Sequence, residues 1–208
     1  MAYPTVSAPY GLKPINRFDG MPYAGATQQL PIASTYNTAI YNGDVVLVSG
    51  GNIKKSAVTS DSTTDKANNA TYGVFVGCQY VNTQGQTVQA QYYPGNAAAS
   101  SAIAYVVMDP VAEFKVAVTY SGNSTVTTTT SAAVGTNAAL IQGTGSTITG
   151  DSGVSVAAPA SGAGNAAALP VRIVAVVPET ASSAGNYTEV VVKFNNPQIL
   201  LAAGNDFA

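Results

Sequence analysis

Apolar and polar positions alternate along this chain in short bursts, each closed by turn residues and too short to make a helix. "TQQLPIAS" opens the series and "AIYNGDVVLVS" follows it. In "GDVVLV" the apolar positions are nearly continuous, the pattern of a strand covered on both faces. A "GGN" turn then leads into "IKKSAV", so the two runs read as a β-hairpin. Further strands are predicted at "TYGVFVGCQYVN", at the half-exposed "GQTVQAQYYPG", and at "SAIAYVVMD" and "EFKVAVTY", the last two joined by a "DPVA" corner. Gly73 and Gly77 suit a bulge or a close backbone approach inside their strand. Beyond Tyr120 the pattern continues through "ALIQG", "GVSVAA", "LPVRIVAVVP" and "YTEVVVKFN", between loops such as "APASGAGNAAA". Short strands at this spacing predict an all-β sandwich or barrel. No amphipathic helix longer than a turn or two and no internal repeat is visible. The ending "ILLAAGNDFA" suits a short helix or a docking tail.

Three segments follow from these patterns. Residues 1–25 hold four prolines, three tyrosines and three glycines, and proline biases its surroundings toward extended geometry. Tyr3, Tyr10, Ile15, Phe18, Met21 and Tyr23 make this segment too apolar for a simple linker. It reads as an extended arm, either docked on another surface or packed back on its own domain. Residues 26–120 read as a β-barrel or sandwich domain. Residues 121–208 open on "SGNSTVTTTTSAAVGTN", rich in β-branched polar residues, and form a second β-rich segment or domain.

Composition changes the picture in one direction. The 208 residues are 46% hydrophobic, enough for a core, but only 9% charged, against about 25% in typical domains. A polar surface with so little charge favours association. The net charge is −2, and neither half carries a basic patch, so electrostatic binding to nucleic acid is not expected. The single Cys78 excludes an intrachain disulfide, and its apolar strand setting predicts a buried small hydrophobe. "MAYPTVSAPYG" lacks the pattern of a signal peptide, and no apolar run reaches the ~20 residues of a membrane span. The chain is therefore expected to stay in the compartment where it is made.

Reactive chemistry is scarce. There is no histidine, which removes the usual general base and the commonest metal ligand. "GDSG" at 150–153 resembles a serine-protease nucleophile turn, but no base is available for Ser152, and a tight turn is the plain reading. "GTGSTITG" has the wrong spacing for a dinucleotide loop and reads as another turn. Asp61 and Asp65 lack calcium-loop spacing. Asp109 and Glu113 flank an Asp-Pro turn initiator, a structural role in preference to a glycosidase acid pair. Sequons at Asn69, Asn123 and Asn186 are chance in a Thr-rich chain. No catalytic residue, cofactor or metal is assigned, and an enzyme is not expected.

Several runs resemble the head decoration, or cement, proteins of tailed bacteriophages. These are "YNGDVVLVSGGNIKKS", "YGVFVGCQYV", and "SAIAYVVMDPVAEFKVAV" with its Val106, Asp109-Pro110, Phe114 and Val116 corner. "GDSG", "LPVRIVAVV" and "YTEVVVKFNNP" resemble the second half of such virion proteins. The resemblance implies a β-tulip-like sandwich or barrel on the outer surface of the capsid, made in the host cytoplasm. It also implies a homo-oligomer, with a trimer favoured, that bridges neighbouring subunits of the major capsid protein. Neither nucleic acid nor membrane is an expected partner. Tyr3, Tyr10, Phe18 and Tyr23 are the expected capsid-binding residues, as aromatic anchors of the arm. Open strand edges would serve the same end by pairing with a partner. The alternative is a virion fibre or a surface carbohydrate-binding β module, with Tyr92-Tyr93 as its sugar platform.

Overall fold

A computed structural model describes residues 6–56, 71–96, 99–119, 129–158, 169–180 and 187–195. Its strands are β1 (Lys13–Arg17), β2 (Gln28–Pro31), β3 (Val45–Ser49), β4 (Asn52–Lys55), β5 (Gly73–Val81), β6 (Thr87–Ala90) and β7 (Ser100–Val107). They continue with β8 (Ala112–Thr119), β9 (Asn137–Ala138), β10 (Leu140–Ile141), β11 (Ser155–Ala157), β12 (Val171–Val176) and β13 (Glu189–Phe194). The only helical pieces among the described residues are single 3-10 turns at Ser131–Ala133 and Pro178–Thr180. The fold is all-β, as the alternation predicts. Tyr3, the Asp61–Asp65 loop, Asn69, Asn123, Asn186 and the C-terminal tail lie outside the described residues. No described helix is long and apolar enough to cross a membrane.

The strands make two sheets. One runs β2-β7-β5-β3-β4, with β6 added on β5. A bridge between Ile32 and Ile53 brings its two ends together, so the sheet curls into a nearly closed barrel. That bridge brings two of the barrel's edges together within the chain, while β6, β9 and β10 remain at the ends of their sheets. Ile32, Ile40, Val46, Ile53, Phe75, Cys78, Tyr93, Ala104 and Val106 fill it. Cys78 is 1% exposed, and burial pushes its thiol up to about 12, the buried hydrophobe its strand setting predicts.

The second sheet runs β10-β11-β8-β13-β12-β9, with β1 also paired to β8. β1 covers residues 112–115 of β8 and β11 covers 118–119, so the two lie end to end along one edge while β13 takes the other. β5 is built the same way, with β3 and β6 along one edge and β7 along the other. In each sheet the long central strand organises shorter ones.

A larger core joins the sheets. Val45, Val74 and Val107 from the barrel meet Phe114, Val116, Val118, Val156, Ile173, Val190 and Val192. Val45 therefore points into this core while its neighbour Val46 points into the barrel, which is why "GDVVLV" reads as continuously apolar. β8 falls inside the 26–120 segment, yet its partners β1, β11 and β13 all come from outside it.

Candidate functional site

The N-terminal segment is locked to the body before it reaches its exposed turn. Leu12 is fully buried in the larger core. Gly11 N–H donates to Val154 O at 3.1 Å and Leu12 N–H to Gly43 O at 3.0 Å. Gly11 has φ +81°, and a Cβ there would sit 2.7 Å from both Gly43 O and Ser152 Cβ. Only glycine fits this position, on both counts. β1 then runs antiparallel to β8, with a bulge between Pro14 and Asn16. Of the two arrangements open to the arm, the described part packs back on its own domain.

After β1 the chain turns through "RFDGM". Arg17 N–H donates to Met21 O at 2.8 Å, Gly20 N–H to Arg17 O at 3.0 Å, and Met21 N–H to Asp19 Oδ1 at 3.1 Å. Phe18 N–H donates to Val111 O at 2.8 Å, tying the turn to the approach of β8. The backbone is therefore held in place, and it displays two large apolar side chains: Phe18 is 57% exposed and Met21 58%. Lys193 on β13 places its Nζ 4.2 Å from the Phe18 ring centroid, a cation–π contact on one ring face. Arg17 Nη2 lies 3.3 Å from Asp19 Oδ2, and Arg17 Nε lies 3.1 Å from Asp109 Oδ2. The second contact is an ion pair without the alignment of a hydrogen bond. Asp109 also accepts Val111 N–H at 3.0 Å, as a turn initiator does. The result is an apolar pair inside a charged rim.

The other expected anchors are engaged elsewhere. The Tyr10 hydroxyl donates to the Glu189 carboxylate, and Lys115 Nζ lies 3.1 Å from Glu189 Oε1. Burial raises the Tyr10 phenol pKa, and the hydrogen bond and charge of Glu189 raise it further. The Tyr23 hydroxyl donates to Ala26 O, and its ring packs against the larger core. Burial, then the charge of Asp109, raises its pKa. Tyr3 lies outside the described residues. Of the aromatic set, Phe18 alone is an exposed large side chain among the described residues. Of its companions, Met21 counts in the sequence toward the arm's apolar character but not among the expected anchors, and Lys193 is not singled out. The signal for Met21 is local, because an Asp-Gly turn flanked by Phe and Met puts both at its tip. Lys193 carries no signal, since only β13–β8 pairing brings it near.

Two other sequence candidates resolve differently. Tyr93 is 1% exposed and donates its hydroxyl to Tyr36 O at 2.9 Å, while Tyr92 stacks on Tyr41 at 5.5 Å. Their rings therefore face opposite ways and make no joint sugar platform. Ser152 of "GDSG" is buried, and its Oγ donates to Asp44 Oδ1 at 2.6 Å. Among the described residues no group of three His, Cys, Asp or Glu is arranged to hold a metal. No family model, curated protein or solved structure matches the chain.

Proposed function

We propose that this chain is a capsid decoration (cement) protein of a tailed bacteriophage, which binds the outer shell and bridges neighbouring subunits of the major capsid protein. The observation that carries the reading is the "RFDGM" turn, with Phe18 and Met21 exposed on a backbone held by hydrogen bonds. A preorganised apolar centre with an Arg17, Asp19, Asp109 and Lys193 rim matches the anatomy of a protein interface. Burying the exposed part of each side chain contributes about 1–2 kcal/mol. That is weak for one contact and sufficient when many copies act on one shell. The 9% charged composition supports a molecule that works within an assembly. The same reading makes it a homo-oligomer, a trimer in the form the resemblance implies, carried on the virion after synthesis in the host cytoplasm.

Deleting the N-terminus would test this poorly, because Leu12 and β1 belong to the fold. The paired substitution Phe18→Ala/Met21→Ala removes the apolar centre without touching a buried residue. Wild-type protein is expected to co-sediment with capsids stripped of decoration and to raise their melting temperature. The double variant is expected to keep its own melting temperature and stay in the supernatant. Wild-type protein that ignores capsids, or a double variant that binds as well, overturns the reading.

A further inference from the structure

The barrel sheet has a second face whose chemistry differs from that of the Phe18 turn. On β7, Ala102, Ala104 and Val106 point into the barrel, so Ile103 and Tyr105 point outward. The register then fixes their neighbours. Ile103 lies opposite Pro31 of β2 and Gln79 of β5, and Gln79 lies opposite Gln89 of β6. Tyr105 lies opposite Gln29 of β2 and Gly77 of β5. Val81 and Thr87 form the next pair along. At its other end this face continues into Val74 and Val107, which the second sheet covers. Here no strand among the described residues covers it, and Gln29, Pro31, Ile103, Thr87 and Gln89 are exposed.

Two properties distinguish the face. First, it has no charge: none of β2, β5, β6 and β7 contains Asp, Glu, Lys or Arg. From Ala67 to Met108 the sequence holds none either. Second, it presents an aromatic side chain, Tyr105, on its outward side. Tyr105 Cδ2 is 3.9 Å from where a Gly77 Cβ would stand, and the Tyr105 hydroxyl donates to Gln79 Oε1 at 3.4 Å. The side chain thus runs from beside the glycine to the amide two residues on, and it is half-buried.

We propose that this face binds a neutral glycan. A pyranose offers an apolar C–H face to stack on an aromatic ring, and equatorial hydroxyls that donate and accept at its rim. Tyr105 supplies the ring. Gln79, Gln89 and Gln29 supply amides, each with two donor hydrogens and a carbonyl acceptor. The lack of charge fits an uncharged chain and gives nothing to hold a sulfated, phosphorylated or carboxylated one. A protein partner fits less well, since Ile103, at 38%, is the face's one exposed large apolar side chain. The inference is independent of the capsid reading, because it uses other residues on another sheet.

The test is affinity electrophoresis of the full chain in gels containing amylose, galactomannan or hydroxyethyl cellulose, with an array of neutral and anionic oligosaccharides beside it. At least one neutral glycan is expected to retard the wild type. Tyr105→Ala is expected to weaken that binding about tenfold, on the scale of one lost aromatic contact, and Tyr105→Phe to keep most of it. Gln79→Ala is expected to weaken it with an unchanged circular dichroism spectrum. Retention by anionic glycans alone, no retention by any neutral glycan, or undiminished binding by folded Tyr105→Ala overturns the inference. The Phe18→Ala/Met21→Ala protein should bind the glycan as the wild type does, so the two readings fail separately.

Discussion

Asp44 is a carboxylate with no exposed surface, a placement that costs several kcal/mol unless each oxygen is matched. Oδ2 accepts Tyr41 N–H at 2.8 Å and lies 3.0 Å from Lys55 Nζ, and Oδ1 accepts the Ser152 hydroxyl at 2.6 Å. Ser152 Oγ in turn accepts Val154 N–H at 3.0 Å. Three chain segments are fastened through one buried side chain. Around it, Asn42 and Asp151 form a parallel bridge, and Lys13 Nζ pairs with Asp151 at 2.6 Å. Lys55→Met keeps the length of the side chain and strips the charge from Asp44's partner. It is expected to cost about 3–5 kcal/mol, because a buried charge is left uncompensated. At this chain length that lowers the melting temperature by roughly 6–20 °C. Thermal unfolding followed by circular dichroism checks it; a change within a degree or two would mean the pair is idle. "NGD" and "GDSG" each read as a turn. Their meeting is not visible in either.

At the scale of elements, β1 shows how a proline-rich segment becomes part of a sheet. It lies at the edge of β8 with Pro14 opposite Phe114, and an edge is where a strand tolerates the missing N–H. The extended geometry of residues 1–25 was legible from the prolines. The docking of residues 11–17 was not, because it depends on Leu12 joining the core that also holds Val45, Val74 and Phe114. Leu12→Ala is expected to destabilise the fold by about 3 kcal/mol and to loosen β1 first. Limited trypsin digestion should then cleave after Lys13 and Arg17 faster than in the wild type, as N-terminal sequencing of the products would show. Equal cleavage rates would mean that β1 is held by its strand pairing alone. The same locking explains why the "RFDGM" turn is rigid: one end follows β1 and its middle is bonded to Val111.

Across the whole molecule, β8 decides how the halves relate. Phe114, Val116 and Val118 have no exposed surface, and their cover comes from β11, β12 and β13 as well as the barrel. A chain cut to residues 26–120 keeps β8 without any strand partner. That fragment is expected to lack a cooperative thermal transition and native near-ultraviolet dichroism, whereas the full chain is expected to unfold in one calorimetric transition. A fragment that melts cooperatively would show that the barrel is sufficient alone.

The sequence by itself placed a strand in each of the runs that became β2 to β8 and β10 to β13, and it determined the scarcity of helix, the burial of Cys78 and the turn within "GTGSTITG" at 147–149, since period-two alternation and turn chemistry act over a few residues. It marked Phe18 as an anchor candidate for the same local reason. Only the tertiary structure decided that Tyr10 and Tyr23 are engaged internally, that Ile32 meets Ile53 to curl the barrel, and that Tyr105 pairs with Gly77 on an uncharged face. Those outcomes rest on contacts between residues far apart in the chain. No local pattern encodes such a contact, because it exists only once the strands have chosen their partners and register.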